Sequence, residues 1–299
     1  MGKFYDAIMG LVVGDALGVP FEFRDRDKFK ATDMTGWGTY CQPPGTWSDD
    51  SSMTLATVES LKRCGGIELN DIMLNFCNWM YFGKFTPAGY VFDIGNTTRM
   101  SITRFANGAN CLRCGGFAEF DNGNGSLMRI LPLAFLNCDL GDVAKVSSLT
   151  HGNIISIHAC EIYVWIAKML IDGKGIREAI AYRVRPEYYL HEKFTRLKSL
   201  ERLTRDEIKN TGFVVDTLEA ALWCVLKTDN YRDCVLMAVN LGGETDTIAA
   251  VAGGLAGILY GIGGNNGIPE EWIDRIAKKK WIKDLCESFE ARFCADQGD

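Results

Sequence analysis

The stretch "NLGGETDTIAAVAGGLAGILYG", Asn240 to Gly261, decides the fold. It leads into the most apolar run of the chain, Ile248 to Ile262, which is 15 residues long. A membrane span needs about 20 residues. The glycines and alanines instead suit close contact between two helices inside a core. Just before this run, Glu244, Asp246 and Thr247 crowd three oxygen donors into four positions. Helix capping accounts for one of them. It gives no reason for a core helix to begin with two carboxylates and two threonines.

Outward from this stretch, helical periods dominate. Met53, Ala56, Thr57, Leu61 and Cys64 form one face, and Gly65-Gly66 stops that run. Asn153 to Ile171 reads as an apolar helix ended by Asp172-Gly173. Val215, Leu218, Leu222 and Val225 recur at helical spacing, as do Val235, Ala238 and Val239. Strand patterns are short and rare, so the expectation is an all-α fold. No composition shift or solenoid repeat divides the chain, which predicts one domain over residues 1–299. The most charged stretch, Arg183 to Asn210, reads as a solvated excursion between core helices.

Apolar residues make up 47% of the chain, enough for a buried core. A net charge of −6 without any basic run speaks against nucleic acid as the main partner. Eleven cysteines show no framework spacing. The N-terminal "MGKFYDAIMGLVVGDALG" carries Asp6 and Asp15, wrong for a signal segment. The expectation is a reduced, cytoplasmic protein without a membrane partner. Cys111 and Cys114 have no second pair at zinc-site spacing, and a closed zinc site needs four ligands.

A second acidic cluster stands in "GTWSDDSSMT", Gly45 to Thr54. Taken alone, Ser48-Asp49-Asp50 is an N-cap. Adjacent side chains at a helix start diverge by about a hundred degrees, however, so two carboxylates can serve two sides of one ion or one each of two. The two clusters together supply four carboxylates and several hydroxyls, with no Cys or His. Such donors select Mg²⁺, Mn²⁺ or Ca²⁺ over softer metals, and four carboxylates suggest two ions.

Two further loops bear on chemistry. In "DNGNGSLMRILPLA", Gly123 and Gly125 let backbone N–H groups approach a ligand, with a helix expected from Ser126. A mobile Gly-Asn loop without function reads the same way. In "SLTHGNIISIHAC", His151 stands at a helix start beside Thr150, where it can reach a ligand. His158, mid-helix, reads as a packed or surface histidine.

These residues resemble the ADP-ribosylglycohydrolase family. The resemblance shows at "GLVVGDALGVPFEF", "GTWSDDSSMTLAT", "DIGNTTRMSI", "GNGSLMRILPLA", "LTHGNIISIHAC" and "GFVVDTLEAALW" followed by "AVNLGGETDTIAAVAGGLAGILYG", six blocks in the family's order. It implies a compact orthogonal helical bundle and hydrolysis of the bond between ADP-ribose and an acceptor, a modified protein or a small molecule. It implies a binuclear magnesium centre at Ser48, Asp49, Asp50, Glu244, Asp246 and Thr247. Ser48 stands where the family mostly has Thr, and Glu244 where it mostly has Asp. The longer Glu244 leaves Mg²⁺ against Mn²⁺ open, since Mg²⁺ tolerates loose geometry less. Glu22 falls at the acidic position near the metals, where a carboxyl can move a proton as the bond at ribose C1″ breaks. Catalysis is thus expected of Glu22, Asp49 and Asp246. Asp93, Gly95 and Asn96 match the ribose side, and Gly123, Asn124, Gly125 and Ser126 the phosphate cradle, with His151 beside it. Asp15 is expected to support the core. The alternatives are a non-catalytic ADP-ribose-binding member of the fold and a phosphohydrolase acting on a nucleotide pyrophosphate.

Overall fold

The computed structural model describes residues 2–185 and 191–293. Its helices in chain order are α1 (Lys3–Gly18), α2 (Asp49–Cys64), α3 (Leu69–Phe82), α4 (Asn96–Ala106), α5 (Leu140–Ser148) and α6 (Ile154–Ile171). There follow α7 (Ile176–Arg183), α8 (Val214–Lys227), α9 (Tyr231–Val239), α10 (Thr245–Tyr260), α11 (Glu270–Arg275) and α12 (Lys279–Phe293). Among the described residues there is no strand, only isolated bridges between loops. The all-α reading holds.

The centre of the molecule is the seam between α1 and α10. A Cβ on Gly10 would overlap the Gly253 carbonyl, one on Gly14 the Ala249 carbonyl, and one on Gly18 the Asp246 backbone. Steps of four along α1 are thus answered by backward steps along α10. The two helices are antiparallel and in backbone contact, which only residues without side chains permit. Hydroxyls from α9, from α6 and from the start of α10 itself cap carbonyls along the seam. Tyr231 Oη donates to Gly10 O at 2.6 Å, Tyr163 Oη to Val251 O at 2.9 Å, and Thr245 Oγ1 to Gly18 O at 2.8 Å. This pairing brings the C-terminal end of α1, and Glu22 just beyond it, against the N-terminus of α10.

Helix α2 is more deeply buried than its expected face. Met53, Ala56, Thr57 and Leu61 are buried as read, but so are Thr54, Leu55, Val58 and Ser60, while Cys64 is exposed. Ser52, Thr54 and Thr57 each donate their hydroxyl to the carbonyl four residues back. That internal bonding lets polar residues enter a core without unmet hydrogen bonds. Gly65, in the left-handed region at φ 76°, closes the helix.

Two segments, Lys3–Phe21 and Ile154–Ile171, are long and apolar enough to cross a membrane by composition. In this fold 94% of the first window and 56% of the second are buried against other helices.

The charged stretch from Arg183 to Asn210 departs from its reading as a solvated excursion. Its residues 186–190 lie outside the described residues. Beyond them, Glu192–Arg202 forms a 3₁₀ helix that seats Phe194, Leu197 and Leu200 in the core. Their spacing of three matches the three residues per turn of that helix.

Candidate active site

The N-termini of α2 and α10 meet at the end of α1. Asp15, on α1, accepts from Ser48 N at 2.9 Å, and from Ser51 N and Ser51 Oγ at 3.0 and 2.6 Å. It therefore caps α2 from a neighbouring helix, a sharper role than core support. Ser48 is the local cap: its Oγ accepts from Asp50 N at 3.3 Å and donates to Asp50 Oδ2 at 2.9 Å. Thr247 Oγ1 donates to the same Asp50 oxygen at 3.3 Å, tying the two helix starts together. The same residues thus cap α2 and tie it to α10.

Around this junction the carboxylates crowd. Oxygens of Asp15, Asp50 and Asp246 lie within 4.8 Å of one another, and so do oxygens of Glu22, Asp93 and Asp246. Asp49 stands beside Asp93. None of these residues, nor Glu244, forms an ion pair with lysine or arginine among the described residues. Burial raises their pKa values above the ordinary carboxylate range. It pushes Glu22 up to about 11, with Asp246 and Asp93 adding to the effect, and Asp15 to about 6. Asp49, Asp50 and Asp246 are driven well above the ordinary carboxylate range by burial first and then by neighbouring carboxylates, Asp93 and Asp15 among them. Three buried oxygens, Glu22 Oε2, Asp50 Oδ1 and Asp246 Oδ2, have no hydrogen-bond partner. The positive ends of two helix dipoles point at the cluster but supply only partial charge.

Above the cluster opens a cleft of about 320 Å³. Glu22, Asp49 and Thr247 line it together with Asp93, Gly95 and Asn96, and so do Gly123, Asn124, Gly125 and His151, with Glu244 bonded to Asn124 between the acidic and the glycine-rich parts. Ser48, Asp50 and Asp246 lie beneath the surface, each 3% exposed or less. Glu244 stands apart from the tight carboxylate groups, its Oε2 accepting from Asn124 Nδ2 at 3.1 Å. Ser126 is not in the cleft: its hydroxyl is buried, 3.0 Å from Ser147 Oγ, and accepts from Cys160 Sγ at 3.4 Å. The α-helix expected from Ser126 is replaced by two 3₁₀ stretches, Asn124–Arg129 and Leu131–Phe135. Pro132 explains this, since it lacks an N–H and disfavours α geometry in the residue before it.

Residues 1–298 match the ADP-ribosylglycohydrolase family. The chain belongs to that family. It is 34% identical over 293 residues to ADP-ribosylarginine hydrolase Tri1 of Serratia proteamaculans, covering 96% of this chain and 78% of that one. It is 31% identical over 288 residues to ADP-ribosyl-[dinitrogen reductase] glycohydrolase of Rhodospirillum rubrum, covering 91% and 90%. A solved structure, an ADP-ribosylglycohydrolase-related protein complex, superposes with TM-score 0.82 at 29% identity over 97% of each chain. The protein is an enzyme, an ADP-ribosyl-acceptor glycohydrolase that hydrolyses bonds between ADP-ribose and an acceptor.

The glycohydrolase cleft also holds residues that sequence reading passed over. Thr39 Oγ1 donates to Glu22 O at 2.8 Å, and the Tyr40 phenol sits beside the Glu22 and Asp93 carboxyls. Both come from a loop in which Gly36, Trp37, Gly38 and Cys41 all have positive φ. A Gly-Trp-Gly run beside a tyrosine was the available signal. Phe23, Ile94, Thr97, Thr98 and Met128 complete the lining, with Thr39 and Tyr40 standing behind it. His158 packs 3.8 Å from Glu161 on α6, outside the cleft lining, as a packed histidine should. Cys114 Sγ donates to Asn110 O at 3.2 Å, and no metal-holding group includes the cysteine pair among the described residues.

Proposed function

We propose that this glycohydrolase releases ADP-ribose from an arginine-type acceptor and uses two divalent cations, Mg²⁺ first and Mn²⁺ second. The supporting observation is the acidic cluster with three orphaned carboxylate oxygens and, among the described residues, no ion pair to lysine or arginine. A buried carboxylate without a partner either keeps its proton or shares a cation. Oxygen-only donors fit hard ions. Ser48, Asp49, Asp50, Asp246 and Thr247 would hold them, with Glu244 joining once it releases Asn124. When bound, such ions polarise an oxygen and lower the pKa of a water.

The rest falls to the chain itself. Asp93, Gly95 and Asn96 flank the distal ribose. Gly123, Asn124, Gly125 and His151 receive the diphosphate, where bare backbone leaves room for close approach. Glu22, held from behind by Thr39, moves a proton to the leaving group or from the attacking water. Asp49 and Asp246 orient that water. The acceptor side is acidic and aromatic, with Glu22, Asp93, Tyr40 and the exposed Phe23, and suits a planar cation such as guanidinium. The Serratia and Pseudomonas putida relatives are named for ADP-ribosylarginine. The ten described cysteines are all free thiols, which supports a cytoplasmic location.

The test is release of free ADP-ribose from ADP-ribosyl-arginine, ADP-ribosyl-serine and O-acetyl-ADP-ribose, each with Mg²⁺, Mn²⁺ or EDTA. The expected result is EDTA-sensitive release from the arginine conjugate. Release that EDTA leaves intact would remove the metal part, and release from serine alone would remove the acceptor assignment.

A further inference from the structure

Arg129 is the most unusual side chain near the cleft. It is fully buried, forms no ion pair among the described residues, and leaves Nε and Nη1 without partners. Its plane lies over the Phe76 ring at 4.8 Å. Nη2 donates to Val146 O at 3.1 Å and to Thr150 Oγ1 at 2.8 Å. Thr150 Oγ1 is in turn 2.9 Å from His151 Nδ1. Thr150 is itself fully buried.

The direction of this chain follows from donor counting. A guanidinium only donates, so Thr150 Oγ1 accepts from Arg129. The threonine hydrogen then has one acceptor within reach, His151 Nδ1. Were Nδ1 protonated, two donors would face Thr150 and its own hydrogen would be buried without a partner, which is costly. Nδ1 therefore accepts, and the imidazole carries its hydrogen on Nε2. That nitrogen points to the glycine end of the cleft. The places where Cβ atoms of Gly123 and Gly125 would lie are each 3.4 Å from it. Burial and the nearby Arg129 keep the ring neutral, holding its pKa down to about 3.

The backbone carrying the ring is pinned as well. His151 N donates to Ser147 O at 2.9 Å, and Ser147 Oγ donates to His151 O at 3.0 Å. Ser101 Oγ and Gly116 N both donate to Thr150 O. Arg129 closes the same 3₁₀ stretch whose first residues form the glycine cradle, so one short element supplies both the cradle and its buttress.

We infer that Arg129 and Thr150 are positioning residues that lock His151 as the neutral Nε2–H tautomer, which donates a hydrogen bond into the Gly123–Gly125 cradle toward a diphosphate oxygen. The diphosphate part rests on the site reading above; the tautomer does not.

Long-range ¹H–¹⁵N correlation spectra of the ¹⁵N-histidine-labelled protein, assigned with His151→Gln, test it. The wild type is expected to show His151 as Nε2–H, and Thr150→Val a mixture of tautomers. ADP-ribose should bind Thr150→Val about tenfold more weakly, the loss of one directed hydrogen bond. Thr150→Ser, which keeps the hydroxyl, should bind within about twofold of wild type. An Nδ1–H tautomer in the wild type, or unchanged tautomer and affinity in Thr150→Val, would overturn the relay. A wild type that shows Nε2–H yet fails to bind ADP-ribose would uphold the relay and break the site reading instead.

Discussion

The two ends of the cleft are built on opposite principles. At the acidic end, Glu22, Asp49, Asp50, Asp93 and Asp246 crowd together, and three of their oxygens lack partners. At the glycine end, Arg129, Thr150 and His151 are linked in a chain that leaves a neutral donor facing outward, with only Nη2 of Arg129 bonded. The first end is short of hydrogen-bond partners, which is what supports the proposal of a cation there. The second is pre-organised where it meets the cleft, through the Thr150–His151 link, and offers bare backbone and a directed hydrogen. The glycine seam of α1 and α10 serves the first end, because it forces the start of α10 against Asp15 and Glu22.

This contrast can be broken by function first. Asp49→Ala or Asp246→Ala should lower turnover by about 10³ or more, with helical circular dichroism retained. In EDTA, Asp246→Asn should melt higher than wild type, because the asparagine removes a carboxyl that burial forces to stay protonated. Glu22→Gln should cost about 10² in kcat while ADP-ribose binding changes little. Mg²⁺ at saturation should raise Tm by about 5 °C in the wild type and not in Asp49→Ala. Gly125→Ala should do the reverse. Its Cβ would sit 2.8 Å from His151 Cε1 and 3.0 Å from Thr98 Oγ1, weakening ADP-ribose about tenfold while the Mg²⁺ shift survives.

The smallest effect concerns pH. Unfolded His151 gains a proton near its ordinary pKa of 6.5, whereas the folded form resists to about 3. Its contribution to stability is therefore lost as pH falls through that window, by at most about 1.4 kcal/mol per pH unit. Asp15 has the opposite sign: raised to about 6, it costs stability as pH climbs from its ordinary 3.8. Denaturation across pH 4–6.5 in EDTA should show a shallower acid loss in His151→Gln.

Much of the acidic end was legible in the sequence, because ligand-type residues cluster locally in "SDDS" and "GGETDT" and local clusters survive without knowledge of the fold. The small residues of α10 announced a close contact. That Gly10, Gly14 and Gly18 answer them could not be read, since periodicity describes one helix and not its partner. Ser126 was misplaced because a glycine loop looks alike whether it opens an α-helix or a 3₁₀ turn halted by Pro132. The core role of Phe194, Leu197 and Leu200 was masked by surrounding charge and by a period of three. Thr39 and Tyr40 act on Glu22 across 17 and 18 positions of chain, and Arg129 on Thr150 across 21, distances that no local pattern spans.

The most direct test is a crystal of the wild type grown with ADP-ribose and Mn²⁺, with anomalous scattering recorded. The account predicts anomalous peaks bounded by Asp49, Asp50 and Asp246, with the diphosphate against Gly123, Gly125 and His151. No anomalous peak among those carboxylates, beside an ordered ADP-ribose, would contradict it.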